Sequence, residues 1–337
     1  MNRVAVALAL LLSCSLTTAE PAAKAALSEA DAAKLRHAAG LLDAYRGDDA
    51  SPLETARTEL DAIVAANPHH APAWRELARY RMMSGHVGGG DFAPGALEAA
   101  DEALGKAIAS DPAYAAAYVL RGQLYRLMKR PEDAIAALKK AESLGSDDPW
   151  LHNNWADLLL DQGKFIEAGE HYRKVADDDK APLKARLAAT EGLIEFHLDA
   201  GELDRADAMF RRLVALEPGS ARGHTAYAQF LLCQREDYDG AIARARAGLA
   251  LENQEATRYW LAAALYRRWA QAIVVDARPE AGKAAFAEAQ AIFPGVAEVA
   301  ANAATCPALD FVAQAYAEQA KSEAAPAKDE AATTPSH

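Results

Sequence analysis

The side chains that could perform chemistry in this chain do not form a recognised catalytic arrangement. Its nine histidines are scattered, and His69 and His70, which could be half of a metal site, follow Pro68 in a predicted loop with no second cluster nearby in sequence. The spacings His-Glu-x-x-His, Gly-x-Ser-x-Gly, Cys-x-x-Cys and Gly-x-Gly-x-x-Gly do not occur. Carboxylates are plentiful, but no pair is set apart for acid–base work. The residues therefore predict a protein that is not an enzyme and that has no cofactor and no metal site.

Three loop sequences could bind a ligand, and each has a simpler interpretation. The glycine-rich stretch 84–95 lacks the Gly-Lys-Ser/Thr ending of a phosphate loop, so it predicts a flexible loop that could contact a ligand. The three aspartates at 177–179 lack the spaced ligands and the glycine of a calcium loop, which favours a solvated linker. The Arg-Gly-Asp sequence at 46–48 predicts a helix C-cap and a charged loop rather than an adhesion motif.

Length, composition and charge narrow the class of protein. At 337 residues the chain exceeds the about 250–300 residues at which a single core stops growing, so it is either two domains or a repeat array. Alanine dominates, and Val and Ile rarely alternate with polar residues, which favours helix over strand. The formal net charge of −12 repels phosphate groups, so we expect neither a nucleic acid partner nor binding to an anionic membrane surface.

The N-terminal residues are typical of a secretory signal peptide. Arg3 supplies a positive charge, residues 4–12 are apolar without a break, and small residues lead to a predicted cleavage after Ala19. The apolar run is too short to span a bilayer, which takes about 20 residues, and no later stretch is long and apolar enough. We therefore expect an exported, periplasmic protein with no transmembrane helix after signal removal. An alternative is a lipoprotein anchored through Cys14, although Leu12 fits the lipoprotein pattern poorly.

Two cysteines, Cys233 and Cys306, remain after cleavage at Ala19 and are 73 residues apart. An oxidising compartment permits a disulfide between them. The sequence favours the other interpretation, two buried thiols that pack as small hydrophobic residues. A bridge would require the C-terminal segment to fold back.

Two near-copies of one unit lie back to back between residues 115 and 175. The first copy has Gly122 in its first helix and Ala134 in its second, and the second copy has Ala156 and Ala168 at the corresponding places. Ala134 and Ala168 are 34 residues apart. This period, with small residues in both helices, resembles the tetratricopeptide repeat (TPR) family.

An earlier stretch adds to the resemblance, because Trp74, Leu77 and Ala78 are similar to the family's W-x2-L-G pattern. The resemblance implies an all-α, right-handed α-solenoid of about seven TPR-like helix pairs with a C-terminal capping helix. We place a disordered segment at 20–27, the solenoid at 28–320 and a disordered tail at 321–337. The expected pairs lie near 28–68, 71–111, 113–145, 149–176, 181–217, 220–250 and 255–293, and the cap at 295–320.

In this family the first helices of the pairs line a concave groove that usually holds a peptide or a helix of a partner. The resemblance therefore implies a set of candidate ligand-binding residues, which are Arg75, Arg79, Gln123, Arg126, Asn153, Asp157, Glu191, Glu195, Tyr227, Phe230, Trp260 and Arg267. Their chemistry changes from arginines and amides through carboxylates to aromatic rings. Such a groove could hold a partner with an acidic patch and an apolar anchor.

The expected function is a non-catalytic scaffold that binds another envelope protein or a peptide. Two alternatives stay open: a lipid-anchored envelope assembly factor, and a site for a small molecule or glycan. In the second alternative Trp74, Tyr227, Phe230 and Trp260 would be stacking platforms. The family's clamp for chaperone C-termini is not expected, because Val119 and Ala188 occupy its lysine positions.

Overall fold

The computed structural model describes residues 27–45, 47, 49–88 and 90–324, in two compact units. The N-terminal unit extends to Asn154 and the C-terminal unit begins at Trp155. Several predictions fall on residues outside those described: the signal peptide, the alternative anchor Cys14, the disordered segment up to residue 26 and the disordered tail from residue 325. Two residues of the Arg-Gly-Asp sequence also lie outside the described residues.

The N-terminal unit consists of consecutive helices with one short β-ribbon between the third and the fourth. Their bounds are α1 Glu29–Ala44, α2 Ser51–Ala66, α3 Ala71–Gly85, β1 His86–Gly88, β2 Asp91–Phe92, α4 Ala96–Ser110, α5 Ala115–Leu127 and α6 Pro131–Ser143. Neighbouring helices pack as α1 on α2, α3 on α4 and α5 on α6. Helix α7, Trp150–Asp161, begins in this unit and continues into the next.

Local capping chemistry explains several helix starts. The Ser28 hydroxyl accepts a hydrogen bond of 3.1 Å from the Asp31 N–H and thereby satisfies one free donor at the start of α1. Pro131 is the first residue of α6, where its missing N–H leaves no helix hydrogen bond unmade.

The glycine-rich insertion forms part of a helix and a short antiparallel ribbon. Helix α3 continues through Gly85, and His86 and Phe92 are partners across the ribbon, with their rings 5.4 Å apart. Gly88 and Gly90 have φ values of +104° and +89°, which residues with a Cβ rarely adopt, so they permit the tight reversal. The expectation of a flexible loop is thus corrected to a hairpin.

Small residues hold the helices close together. Ala134 in the N-terminal unit and Ala168 in the C-terminal unit are fully buried, as the repeat pattern requires. At Gly122 an added Cβ would lie 2.4 Å from Leu138 Cδ2, so α5 approaches α6 more closely than any larger residue allows.

The C-terminal unit continues with helices in the same pattern. Their bounds are α8 Phe165–Ala176, α9 Leu183–Asp199, α10 Leu203–Leu216, α11 Ala221–Cys233, α12 Tyr238–Leu251, α13 Glu255–Ala270, α14 Pro279–Ile292, α15 Val296–Ala301 and α16 Asp310–Ala324. A π-helical turn at Gln271–Val275 follows α13 directly. Short 3-10 turns at Asn302–Ala304 and Pro307–Leu309 lead into α16. Helix α16 continues past Lys321, where the sequence predicted the disordered tail to begin. The fold is an all-α helical repeat.

The segment after α14 folds back onto earlier helices of the C-terminal unit. Its turn Pro307–Leu309 contacts α11 and α13, and α16 packs on α13. This path brings Cys306 to Cys233 at the end of α11, with Cα atoms 4.8 Å apart, and the two form a disulfide. The preference for two free thiols is therefore wrong, because the chain makes the return that the bridge needs.

No helix among the described residues combines the length and the apolar composition that a membrane crossing requires.

Candidate functional site

Arg75 and Arg79, predicted to present positive charge in the groove, lie on α3 and are joined through Glu76. The Glu76 residue is only 7% exposed, and its carboxylate pairs with Arg75 and accepts a hydrogen bond of 3.1 Å from Arg79 Nη1. Arg79 also pairs with Asp43, and an Arg75 Nη2–Asp148 Oδ2 distance of 4.0 Å completes the network. The positive charge of the two arginines is therefore balanced within the unit.

The titration of this network supports the same conclusion. Burial lowers the pKa of the Arg75 guanidinium, but the nearby Glu76, Tyr114 and Asp148 raise it by more, so the net direction is upward. Burial raises the pKa of the Tyr114 phenol, an effect that Arg75 opposes. The basic end of the predicted groove is corrected to an internal ion-pair network, which has less charge to offer an acidic partner.

The remaining candidates of the N-terminal unit differ in accessibility. Gln123 and Arg126 are partly buried on α5. Asn153 on α7 is 3% exposed, and its neighbour Asn154 donates a hydrogen bond of 2.9 Å from Nδ2 to the Val119 carbonyl. Asn153 therefore belongs to the buried part of the unit rather than to an accessible groove.

Three predicted carboxylates of the C-terminal unit form one surface, which we call the carboxylate face: Asp157 on α7, and Glu191 and Glu195 on α9. Glu195 is exposed, while Asp157 and Glu191 are partly buried. The Tyr172 hydroxyl donates a hydrogen bond of 2.5 Å to Asp157 Oδ1 and so orients that carboxylate. Asp157, Glu191 and Glu195 are thus brought together.

The carboxylates of this face repel one another. Burial raises the pKa of Glu195, and the charges of Asp157, Asp199 and Glu191 raise it further. Burial also raises the pKa of Glu191, and the positive charge of Arg222, whose Nη2 lies 3.6 Å from Glu191 Oε1, opposes this increase. A cation that approached the face would relieve the repulsion, so the face favours positively charged ligands.

The predicted aromatic residues Tyr227 and Phe230 lie in the core of the C-terminal unit. Each is 3% exposed, and their rings form a cluster with Phe210, whose ring centroid lies 5.4 Å from that of Tyr227 and 4.7 Å from that of Phe230. The Tyr227 hydroxyl donates a hydrogen bond of 2.6 Å to Asp207, which Arg211 also contacts. Tyr227 and Phe230 are therefore buried core residues rather than accessible residues of a groove.

The last two candidates lie on α13. Trp260 is partly buried, with its ring 5.0 Å from that of Tyr259. Arg267 is 3% exposed, and its guanidinium lies between Tyr238 at 4.3 Å and Phe311 of α16 at 4.2 Å. Helix α16 therefore covers a position that the sequence assigned to the groove.

The sequence analysis did not predict some of these contacts, although the spacing of Glu76 from the two arginines could have indicated one set of them. Glu76 directly follows Arg75 and precedes Arg79 by three residues, a spacing that places opposite charges within reach on a helix. Phe311 gave no such signal, because it reaches Arg267 only through the return of the chain.

The residues considered for a metal have other roles. His70 Nδ1 accepts a hydrogen bond of 3.2 Å from the Ala73 N–H at the start of α3, and burial lowers the pKa of this histidine. Within the part of the chain that the structure describes, no three His, Cys, Asp or Glu side chains are grouped to hold a metal ion.

Comparison with known families supports the repeat assignment. One tetratricopeptide repeat model matches residues 115–147, and a second matches residues 159–230. Over these ranges the chain contains tetratricopeptide repeats. The matched ranges include Ala134 and Ala168, the two alanines whose spacing suggested the repeat, so that resemblance is confirmed. Among curated proteins no sequence matches this TPR chain.

Solved structures share the fold at low sequence identity. A chain of the Cut9–Hcn1 hetero-tetramer of the APC/C is 18% identical in sequence to this chain, with a TM-score of 0.52; the match covers 70% of this chain and 46% of that chain. Yeast Tom70 is 16% identical with a TM-score of 0.53, over 73% and 50% of the two chains. A human IFIT1 dimer with PPP-AAAA is 10% identical with a TM-score of 0.53, over 87% and 70%. The TPR chain thus spans about half the length of the first two, and the likeness shows the fold alone.

Proposed function

We propose that this TPR protein is a non-catalytic scaffold of the bacterial cell envelope that binds another protein through first-helix surfaces, with the carboxylate face contacting a basic segment of the partner. The observation that carries the proposal is the carboxylate face itself. Glu195 is exposed beside like charges, and Glu191 has Arg222 as its only ion-pair partner among the described residues. This differs from the acidic partner expected from the sequence, because Arg75 and Arg79 are paired internally.

An exported location is part of the proposal and rests on two observations. The N-terminal sequence is typical of a signal peptide, and the Cys233–Cys306 disulfide is of a kind that persists in oxidising compartments. The anchor through Cys14 remains the alternative for the same compartment. A Cys14→Ala variant that still fractionates with membranes would exclude it.

A glycan or small-molecule site is less well supported. Of its four proposed stacking platforms, Tyr227 and Phe230 are 3% exposed and Trp74 is 9% exposed. A stacking platform needs an accessible ring face, which only the partly buried Trp260 retains in part. The structure therefore gives this alternative no favourable observation.

The proposal is tested by capture from an envelope extract of the source organism. The mature chain is compared with a Glu191→Lys/Glu195→Lys variant and with Glu167→Lys/Glu170→Lys, a matched control on the exposed surface of the second helix α8. We expect the parent and the control to capture the same protein and the face variant to lose it.

Equal capture by all three chains would reject the carboxylate face as the binding surface. Capture of nothing by the parent chain would reject the scaffold function. Arg75 and Arg79 are unsuitable for this test, because reversing them would leave the buried Glu76 unpaired and destabilise the unit.

A further inference from the structure

The first helices α11 and α13 are covered by the chain's own residues 306–315, which we call the C-terminal segment. Its turn Pro307–Leu309 contacts both helices, and α16 packs on α13 and on the π-helical turn. The disulfide from Cys306 to Cys233 fixes the beginning of the segment at the end of α11. The segment therefore occupies the kind of first-helix surface on which the proposed function places a partner.

The C-terminal segment binds this surface as an amphipathic helix would. Val312 and Ala315 of α16 are fully buried, at a spacing of three residues that keeps them on one side of the helix, and Leu309 of the preceding turn is also fully buried. Asp310 and Gln314 between them are exposed. Apolar anchors at this spacing are what a helix offers to a hydrophobic groove.

On the covered surface, the positive charge of Arg267 is only partly compensated by the C-terminal segment. Arg267 is 3% exposed, and no carboxylate among the described residues lies within ion-pair distance of it. Its Nη1 donates a hydrogen bond of 2.9 Å to Gln271, but its Nε is buried without a hydrogen-bond partner. The rings of Tyr238 and Phe311 offset part of the cost of burying this cation. A carboxylate in the position of Phe311 would offset more of it.

Helix α16 packs on α13, on α15 and on the π-helical turn. Among its residues 310–321, only Val312 and Ala315 are fully buried, and Tyr316 is 41% exposed. The disulfide holds the preceding turn and not α16 itself. An element with few fully buried side chains opens at a lower free energy than the core on which it packs.

We propose that the surface of α11 and α13 is a groove for an amphipathic helix of a partner that places a carboxylate against Arg267, and that α16 fills this groove until the partner displaces it. The proposal rests on the proposed function, since it names a second surface and the partner chemistry of the same scaffold. While displaced, α16 stays tethered through the disulfide at Cys306.

The test uses the full oxidised chain and a labelled peptide of residues 307–324. A Val312→Asp variant weakens the attached α16, and Gln314→Asp introduces the same charge at an exposed position of that helix. We expect the Val312→Asp chain to bind the peptide at least about tenfold more tightly than the parent and Gln314→Asp chains, whose attached α16 competes at high effective concentration.

The charge prediction uses the same assay with a Phe311→Glu peptide. On the Val312→Asp chain this peptide should bind at least about tenfold more tightly than the unaltered peptide, because its carboxylate pairs with a desolvated guanidinium. Adding Arg267→Met should remove this preference. Adding Arg268→Met, at the more exposed neighbour on α13, should preserve it.

Equal binding of the two peptides, or no peptide binding by a Val312→Asp chain that keeps its helicity and cooperative unfolding, would overturn the proposal. If that variant does not fold, hydrogen exchange on the parent chain decides. Amides of α16 that exchange well before those of α13 support displacement, and joint exchange of the two helices overturns it. The peptide assay needs no natural partner, so its result is independent of the capture experiment.

Discussion

Removal of the Cys233–Cys306 disulfide should lower the stability of the C-terminal unit by an amount that the loop length determines. The bridge closes a loop of 73 residues. In the chain-entropy model such a cross-link removes about 15 cal/mol/K from the unfolded chain, or about 4.4 kcal/mol at 25 °C. The measurement is urea unfolding followed by far-ultraviolet circular dichroism, on the oxidised chain, the reduced chain and a Cys233→Ala/Cys306→Ala variant.

The reduced chain is the matched control, because it retains both sulfur atoms and lacks only the bond. We expect its free energy of unfolding to fall by about 2–4 kcal/mol. The alanine variant should fall slightly further, since Cys306 is fully buried. A reduced chain that unfolds at the same urea concentration as the oxidised one would refute the reasoning that the return of the C-terminal segment is held by this bond.

Three further predictions concern close packing and buried ionisable groups. Gly192→Ala should destabilise the chain by about 1–3 kcal/mol in the same urea unfolding assay, because the new Cβ would lie 2.3 Å from the Tyr172 ring. As a control, Gly105→Ala has open space around the new Cβ and should stabilise the chain by about 0.5–1 kcal/mol. Burial and Arg244 lower the pKa of His224, so the fold favours the neutral imidazole. The stability gained from this preference is present at about pH 8 and should be lost as the pH falls to about 5. The melting temperature of His224→Gln should lack that part of the pH dependence. Burial and neighbouring carboxylates raise the pKa of Glu195, so its charged form destabilises the fold. Glu195→Gln should therefore raise the melting temperature at pH 7, which corresponds to a stabilisation below about 1 kcal/mol, and should have less effect at about pH 4. An equal effect at the two pH values would contradict the assignment.

The repeat pattern predicted most of the helical architecture because close packing of helices restricts residue size. Ala134 and Ala168 are fully buried where the pattern places them, and Ser28 and Pro131 begin helices for reasons that are local in sequence. The ribbon at 86–92 was not predicted, since short strands have weak local preferences and this one depends on a turn made by glycines.

The candidate surface was harder to predict because accessibility depends on tertiary contacts. The repeat register identified the three residues of the carboxylate face, Asp157, Glu191 and Glu195. It could not show that Phe210 stacks against Phe230, or that Phe311 covers Arg267, because these contacts join segments that are distant in sequence. A helical register gives the direction of a side chain, and the neighbouring helices determine whether solvent reaches it.

The most direct test of the proposed binding function is site-specific photo-crosslinking in the intact envelope. A photoreactive amino acid replaces Glu191 on the carboxylate face or, as the control, Glu170 on the second helix α8. We expect one discrete cross-linked product from position 191 and none from position 170, and we expect an added basic peptide to compete with the product at 191. Equal products from both positions, or a product at 191 that the basic peptide leaves unchanged, would contradict the proposed binding function.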